Sequence, residues 1–247
     1  MLIRDDGESW LAIPQPAHAF VSGQVARAWG NAAFAPPDPR EPVCLGAEQH
    51  DVAWAQWDVR PPLNAEARRA ASFLEAPFDD RLAIWDGAPE RVLAQDPFAA
   101  LLVSLHGRNV HTLYVNADFL EPAQRDAVTA YLARQAALQD QLIARLDITR
   151  EQAERAAALV LCVDALSLRL CHGWPEGDLP PVDGTVIRYT PVSATEATLD
   201  PWPLGAPRLE VGLSARRLTA RFDDEEALHA GLDAAPVSQL HWVLRAN

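Results

Sequence analysis

From Pro122 to Cys171 the chain reads as two long helices in succession, and this stretch limits the accessible folds more than any other. The first, Pro122 to about Leu146, opens on proline and is rich in Ala, Gln and Leu, which favour helix. The second, Thr149 to about Cys171, opens on a Thr149-x-x-Gln152 pattern in which each residue caps the other's backbone. Helices of such length are stable only when an apolar face packs on other elements. Partners are available upstream: helical character runs from Ala17 to about Trp29, from Val43 to Trp57, from Asp79 to Gln95, and from Asp96-Pro97 to about His106-Gly107.

The flanks differ in texture. MLIRDDGESWLAI alternates around Asp6-Gly7 and predicts an opening β-hairpin. Beyond Gly173, prolines punctuate short β-like runs such as TVIRYTPV, RLEVGL and QLHWVL. The expectation is a mainly α fold: a helical region over residues 1–175 that includes the hairpin, and a small C-terminal β-sheet over 176–247 packed on the same unit.

Composition removes several functions. A net charge of −13 opposes extended contact with polynucleotide phosphates or an anionic membrane surface. No apolar run reaches the roughly 18 to 20 residues of a membrane-spanning helix, and the first residues are too acidic for a signal peptide, so a cytoplasmic location is expected. Cys44, Cys162 and Cys171 lie in apolar surroundings and read as buried free thiols. The chain contains no lysine, which excludes Schiff-base catalysis and a P-loop lysine.

The residues that invite chemistry are histidines and aspartates in apolar helical settings. His50, Trp54 and Trp57 share i, i+4, i+7 spacing, which places a histidine beside two large rings, with Asp51 adjacent. In a continuous helix His50 and Asp51 diverge by about 100° and meet one ion only near their shared edge, with other helices completing the site. Asp164 stands inside an apolar run from Ala156 to Cys171, where a carboxylate is costly unless paired, hydrogen-bonded or metal-bound. His18 falls in the first turn of its helix, and His106 at a helix end where an imidazolium would be favoured by the dipole. His111 follows five residues later, and Glu75 lies in the irregular SFLEAP segment as a candidate bridge or a solvated acid.

The order His18, His50-Asp51, Asp164 resembles the ligand order of the HD-domain superfamily of metal-dependent hydrolases. More narrowly, QPAHAFVSGQVARAWGN, HDVAWAQWD, SFLEAP, LLVSLHG and VDALSLRLC are similar to the motif blocks of an uncharacterised bacterial family of HD-like helical proteins, over about residues 1–175. The resemblance implies an HD-domain-like helical bundle with His18, His50, Asp51 and Asp164 as metal ligands. It also implies that His106, and beyond it His111, serves a second metal or the substrate, a role that Glu75, from its place in the irregular segment, could share.

Two histidines and two aspartates suit Mn, Mg, Fe or Zn. The leading expectation is therefore a metal-dependent phosphohydrolase for a small phosphorylated or nucleotide-like molecule, with Asp51 taking a proton and His106 stabilising developing negative charge. The alternatives are a di-iron oxygenase of HD type, which needs more ligands, and a non-catalytic, metal-stabilised binding protein.

Overall fold

A computed structural model describes residues 1–247. The chain opens with β1 (Leu2–Asp5) and β2 (Trp10–Ile13), then α1 (Gln15–Ala28) and α2 (Arg40–Gln49). A 3-10 turn at Val52–Trp54 leads into α3 (Ala55–Val59), and β3 (Leu63–Asn64) and β4 (Arg69–Ala70) form a small separate ladder. After a second 3-10 turn at Phe73–Glu75 come α4 (Phe78–Asp86), α5 (Ala88–Leu93), α6 (Pro97–Tyr114), α7 (Pro122–Leu146) and α8 (Arg150–His172). The chain ends with β5 (Gly177–Asp178), β6 (Arg188–Ser193), β7 (Glu196–Asp200), β8 (Arg208–Leu218), α9 (Glu225–Ala234) and β9 (Val237–Ala246).

The helix ends follow from local chemistry. Thr149 accepts from the Gln152 amide, and the Gln152 side chain accepts in return from the Thr149 amide at 2.8 Å, which starts α8; Gly173, at a φ of 68°, stops it. Asp96 starts α6 by accepting from the amides of Phe98 and Ala99.

The expected mainly α, HD-domain-like bundle with a small C-terminal sheet is corrected by the architecture. Helices hold 52% of the residues, and the strands form one seven-stranded sheet curled into a half-barrel, with the two-stranded ladder beside it. Its order is β1-β2-β8-β9-β7-β6-β5, so the N-terminal hairpin is an integral edge, joined through β2 to β8. The sheet is large because β8 and β9 pair along nearly their whole length, and because β9 also pairs in parallel with β7. Residues near both ends of the chain thus complete one surface.

Two further expectations change. The helix read as Val43 to Trp57 ends at Gln49, and the chain tightens into the 3-10 turn. Asp51 sits at φ −111° and ψ 16° in the bridge region, at the start of that turn, so His50 and Asp51 occupy a break instead of mid-helix. Conversely, α6 does not end at Gly107 but continues to Tyr114. Gly107 is a close-packing glycine: a Cβ there would stand 2.4 Å from the Tyr131 hydroxyl of α7.

One hydrophobic core joins helices and sheet, with Leu101, Leu105, Val160 and Leu166 in the same cluster as Leu11, Val211, Trp242 and Leu244. Helix α1 is clamped to β8 by Gln24, whose amide nitrogen donates to the Gly212 carbonyl at 2.8 Å and whose oxygen accepts from the Gly212 amide at 3.1 Å. With α1 so fixed, its buried stripe of His18, Val21, Ser22 and Val25 faces the helical interior. Cys44, Cys162 and Cys171 are buried and free. No helix is long and apolar enough to cross a membrane.

Candidate metal centre

Five buried polar side chains converge where α1, the α2 break, α6 and α8 meet. His18, His50, Asp51, His106 and Asp164 are exposed by 1%, 0%, 4%, 2% and 7%, values that rule out a solvated polar face. Their donor atoms form two overlapping groups that share His50: one with His18 and Asp51, the other with His106 and Asp164. His18 Nε2 lies 2.7 Å from Asp51 Oδ2, and His50 Nε2 lies 3.6 Å from Asp51 Oδ2 and 3.2 Å from Asp164 Oδ1. His106 Nε2 is 3.9 Å from Asp164 Oδ2. Ligand atoms about 2.0–2.2 Å from one ion stand roughly 3–4 Å apart, which matches the three longer separations, while His18 and Asp51 stand at direct hydrogen-bond distance.

The break after α2 makes this convergence possible. In a continuous helix Asp51 would point about 100° away from His50. The bridge-region turn instead swings its carboxylate toward the histidine and across to α1.

Hydrogen bonding fixes two of the rings. His50 Nδ1 donates to the Ala47 carbonyl at 2.8 Å, so in the neutral ring Nε2 carries the lone pair; that buried Nε2 has no hydrogen-bond partner. His18 Nδ1 lies 2.8 Å from Ser167 Oγ, whose own proton goes to the Asp164 carbonyl at 2.9 Å. His18 Nε2 is turned toward Asp51. A nitrogen lone pair facing a carboxylate oxygen needs a proton or a cation between them, and Asp51 Oδ1 is also buried without a partner. Either donor group, His18-His50-Asp51 or His50-His106-Asp164, could hold a divalent ion, with backbone or hydroxyl groups hydrogen-bonded behind His18 and His50.

His106 differs: its buried Nδ1 has no partner, and its ring packs 4.5 Å from His50 and 5.6 Å from Trp85. Trp85 in turn contacts Trp54, which meets Trp57 and Phe73 edge to face. Since α6 runs on to Tyr114, His106 is mid-helix, and a helix-end role for its charge does not apply.

The electrostatics are strongly coupled. Burial opposes charge on His50, but the Asp51 and Asp164 carboxylates outweigh it and raise its pKa to about 9. Burial also opposes the charge of Asp164, yet His50, His106 and His18 hold its pKa down to about 2. Asp51 is lowered against the same burial penalty by His50 and His18. For His106, burial reinforced by His50 lowers the pKa to about 4.

Glu75 and His111 stand apart from this cluster. Glu75 completes a capping box with Ser72 and receives Arg69 and Asn64, an arrangement in which the Arg69 guanidinium holds its pKa down to about 2. His111 donates from Nδ1 to the Gly107 carbonyl and packs 4.7 Å from Tyr131. Ser167 belongs to the cluster although sequence reasoning does not single it out. Its one signal is a lone hydroxyl one turn beyond Asp164 in the otherwise apolar run from Ala156 to Leu168.

A family model described as a protein of unknown function (DUF3891) matches residues 1–220. The chain belongs to that family. The match includes every residue of the cluster and stops before α9 and β9. No curated protein and no solved structure shows significant similarity to the chain.

Proposed function

We propose that this chain is a metal-dependent hydrolase acting on a small phosphorylated or nucleotide-like molecule. The observation that carries the reading is the pair His18 and His50: each has Nδ1 committed to an acceptor, and each turns Nε2 toward a buried aspartate. The order His18, His50-Asp51, Asp164 also resembles that of HD-domain hydrolases, although the half-barrel sheet is not part of that resemblance.

When bound, a divalent ion supplies Lewis acidity, polarising a phosphoryl oxygen and lowering the pKa of water. Asp51 Oδ1, buried and without a partner, is placed to accept the proton given up by water. His106 is neutral near pH 7 and offers an uncommitted Nδ1, suited to hydrogen-bonding the oxygen on which negative charge develops. The Trp85 ring against His106 shields this side from solvent and so strengthens both interactions.

The test is metal analysis of freshly purified protein together with hydrolysis of a panel of small phosphate esters. Wild type should carry a divalent ion and release phosphate; His50→Ala and Asp164→Ala should lose both. Full metal content in both variants would overturn the reading. A metal-stabilised binding protein is the second reading, favoured by the depth of burial of all five residues. It predicts a rise in melting temperature with metal and no turnover of any ester. A di-iron oxygenase, which would draw on His106, His111 and Glu75, has His106 beside His50 and Asp164 but finds Glu75 and His111 engaged elsewhere.

A further inference from the structure

We infer that Ser167 is a positioning residue of this centre, which through one hydroxyl decides which nitrogen of His18 carries the proton. The inference rests on the metal reading above. Ser167 is fully buried on α8, one turn beyond Asp164. Its Oγ is 2.9 Å from the Asp164 carbonyl oxygen and 2.8 Å from His18 Nδ1. A hydroxyl has one proton and a carbonyl only accepts, so with that proton directed to Asp164, as the 2.9 Å contact orients it, Ser167 is an acceptor toward His18. The remaining lone pair faces His18 and accepts from Nδ1–H.

The consequence lies on the opposite side of the ring. Asp51 Oδ2, 2.7 Å from Nε2, would by itself favour the tautomer with the proton on Nε2. That tautomer satisfies the carboxylate internally and leaves no lone pair at Nε2 for a cation. Ser167 draws the proton to Nδ1 and keeps Nε2 free. Ser22, one turn along the same face of α1, donates to the Val163 carbonyl at 3.3 Å and holds α1 and α8 in the register this requires. The hydroxyl therefore ties two candidate ligands, His18 and Asp164, from helices α1 and α8 into one hydrogen-bonded unit.

The experiment uses the full-length chain stripped of metal, as wild type, Ser167→Ala and Ser167→Thr. Zn(II) affinity is measured by titration calorimetry and melting temperature by circular dichroism. Histidine tautomers in the zinc-loaded proteins are read by 15N NMR. Loss of such a ligand's hydrogen-bond partner typically weakens metal binding by about 10- to 100-fold. Ser167→Ala is expected to show that loss, with the metal-free melting temperature within about 3 °C of wild type, and without the protected His18 Nδ1–H signal. Ser167→Thr is expected to restore affinity to within a few-fold. Zinc affinity in Ser167→Ala within twofold of wild type would overturn the inference and leave the metal reading standing. A loss that threonine does not restore, or that parallels a fall in melting temperature, would assign Ser167 to packing and overturn it too. Wild type binding no zinc would overturn the metal reading and this inference together.

Discussion

His18 Nε2 and Asp51 Oδ2 stand 2.7 Å apart, so α1 and the break after α2 meet directly inside the candidate centre. Asp51 also lies 3.6 Å from His50 Nε2, which makes its carboxylate the common neighbour of two histidines. Asp51→Asn preserves shape but removes the charge and replaces an acceptor with a donor. If the cluster holds a divalent ion, this variant should bind Mn(II) or Zn(II) at least about tenfold more weakly, since a ligating charge is lost. Calorimetric titration checks the affinity and circular dichroism checks the fold. Unchanged affinity would show that Asp51 is not a ligand.

The metal-free histidine–aspartate cluster should contribute most to stability near pH 6.5. The pKa of His50 in the folded chain, about 9, lies above its usual 6.5. Its contribution is therefore fully present below pH 6.5 and is lost as pH rises toward 9. His106, at about 4, is depressed instead, so stability falls as pH drops from 6.5 through 4. Asp164, at about 2 against a usual 3.8, extends that fall below pH 3.8. Melting temperatures across pH 4 to 9 should form a dome, and His50→Gln should flatten its alkaline side while lowering its height. An alkaline slope identical in the two proteins would exclude His50 as its source.

Gly107 and Tyr131 form a lock between α6 and α7. A Cβ added at position 107 would meet the Tyr131 hydroxyl at 2.4 Å and the Trp85 ring at 3.2 Å. Gly107→Ala should therefore destabilise the protein by about 1–3 kcal/mol through overpacking, despite the better helix propensity of alanine. The Tyr131 hydroxyl is buried and has no partner, so Tyr131→Phe should be neutral or slightly stabilising. Combining the two should recover much of the loss, because the clashing atom is then absent. A double-mutant cycle by chemical denaturation measures this coupling, and strict additivity would contradict the lock.

The parts of the fold legible in the sequence are those set by neighbours along the chain. Pro122, the Thr149–Gln152 capping box and the Asp6-Gly7 turn act within a few residues, and α7, α8 and the opening hairpin lie where they indicate. The extent of the sheet is not legible there, because β2 meets β8 and β7 meets β9 across long stretches of sequence. Gly107 reads as a terminator because a packing glycine and a capping glycine look alike until Tyr131 is in place. Polar residues in apolar helical settings single out His50-Asp51 and Asp164, and it is the resemblance in residue order to HD-domain proteins that adds His18. The break that aims Asp51 is hidden, although an aspartate is a common first residue of a new turn. For Glu75, the Ser72-x-x-Glu75 spacing already signals a capping box, and a free acid there is the weaker reading.

The segment beyond the family match should be indispensable to folding. Residues 221–247 contain α9 and β9, and β9 is an interior strand with β8 on one side and β7 on the other. Its Trp242 and Leu244 belong to the main core, while Leu228 and Leu232 of α9 pack in a second cluster with Met1 and Phe222. Removing the segment would detach β7, β6 and β5 from β8 and leave unpaired edges on the long β8 and the shorter β7, which favour aggregation. Each large core side chain lost costs about 2–5 kcal/mol, and four of them approach or exceed the roughly 5–15 kcal/mol that typically separates folded from unfolded domains. A chain ending at Ala220 should be insoluble or lack a cooperative melt, whereas one lacking only Asn247 should melt like wild type. Cooperative unfolding of the shorter chain would mean that the sheet closes without its interior strand, and would refute the pairing of β8 and β7 through β9.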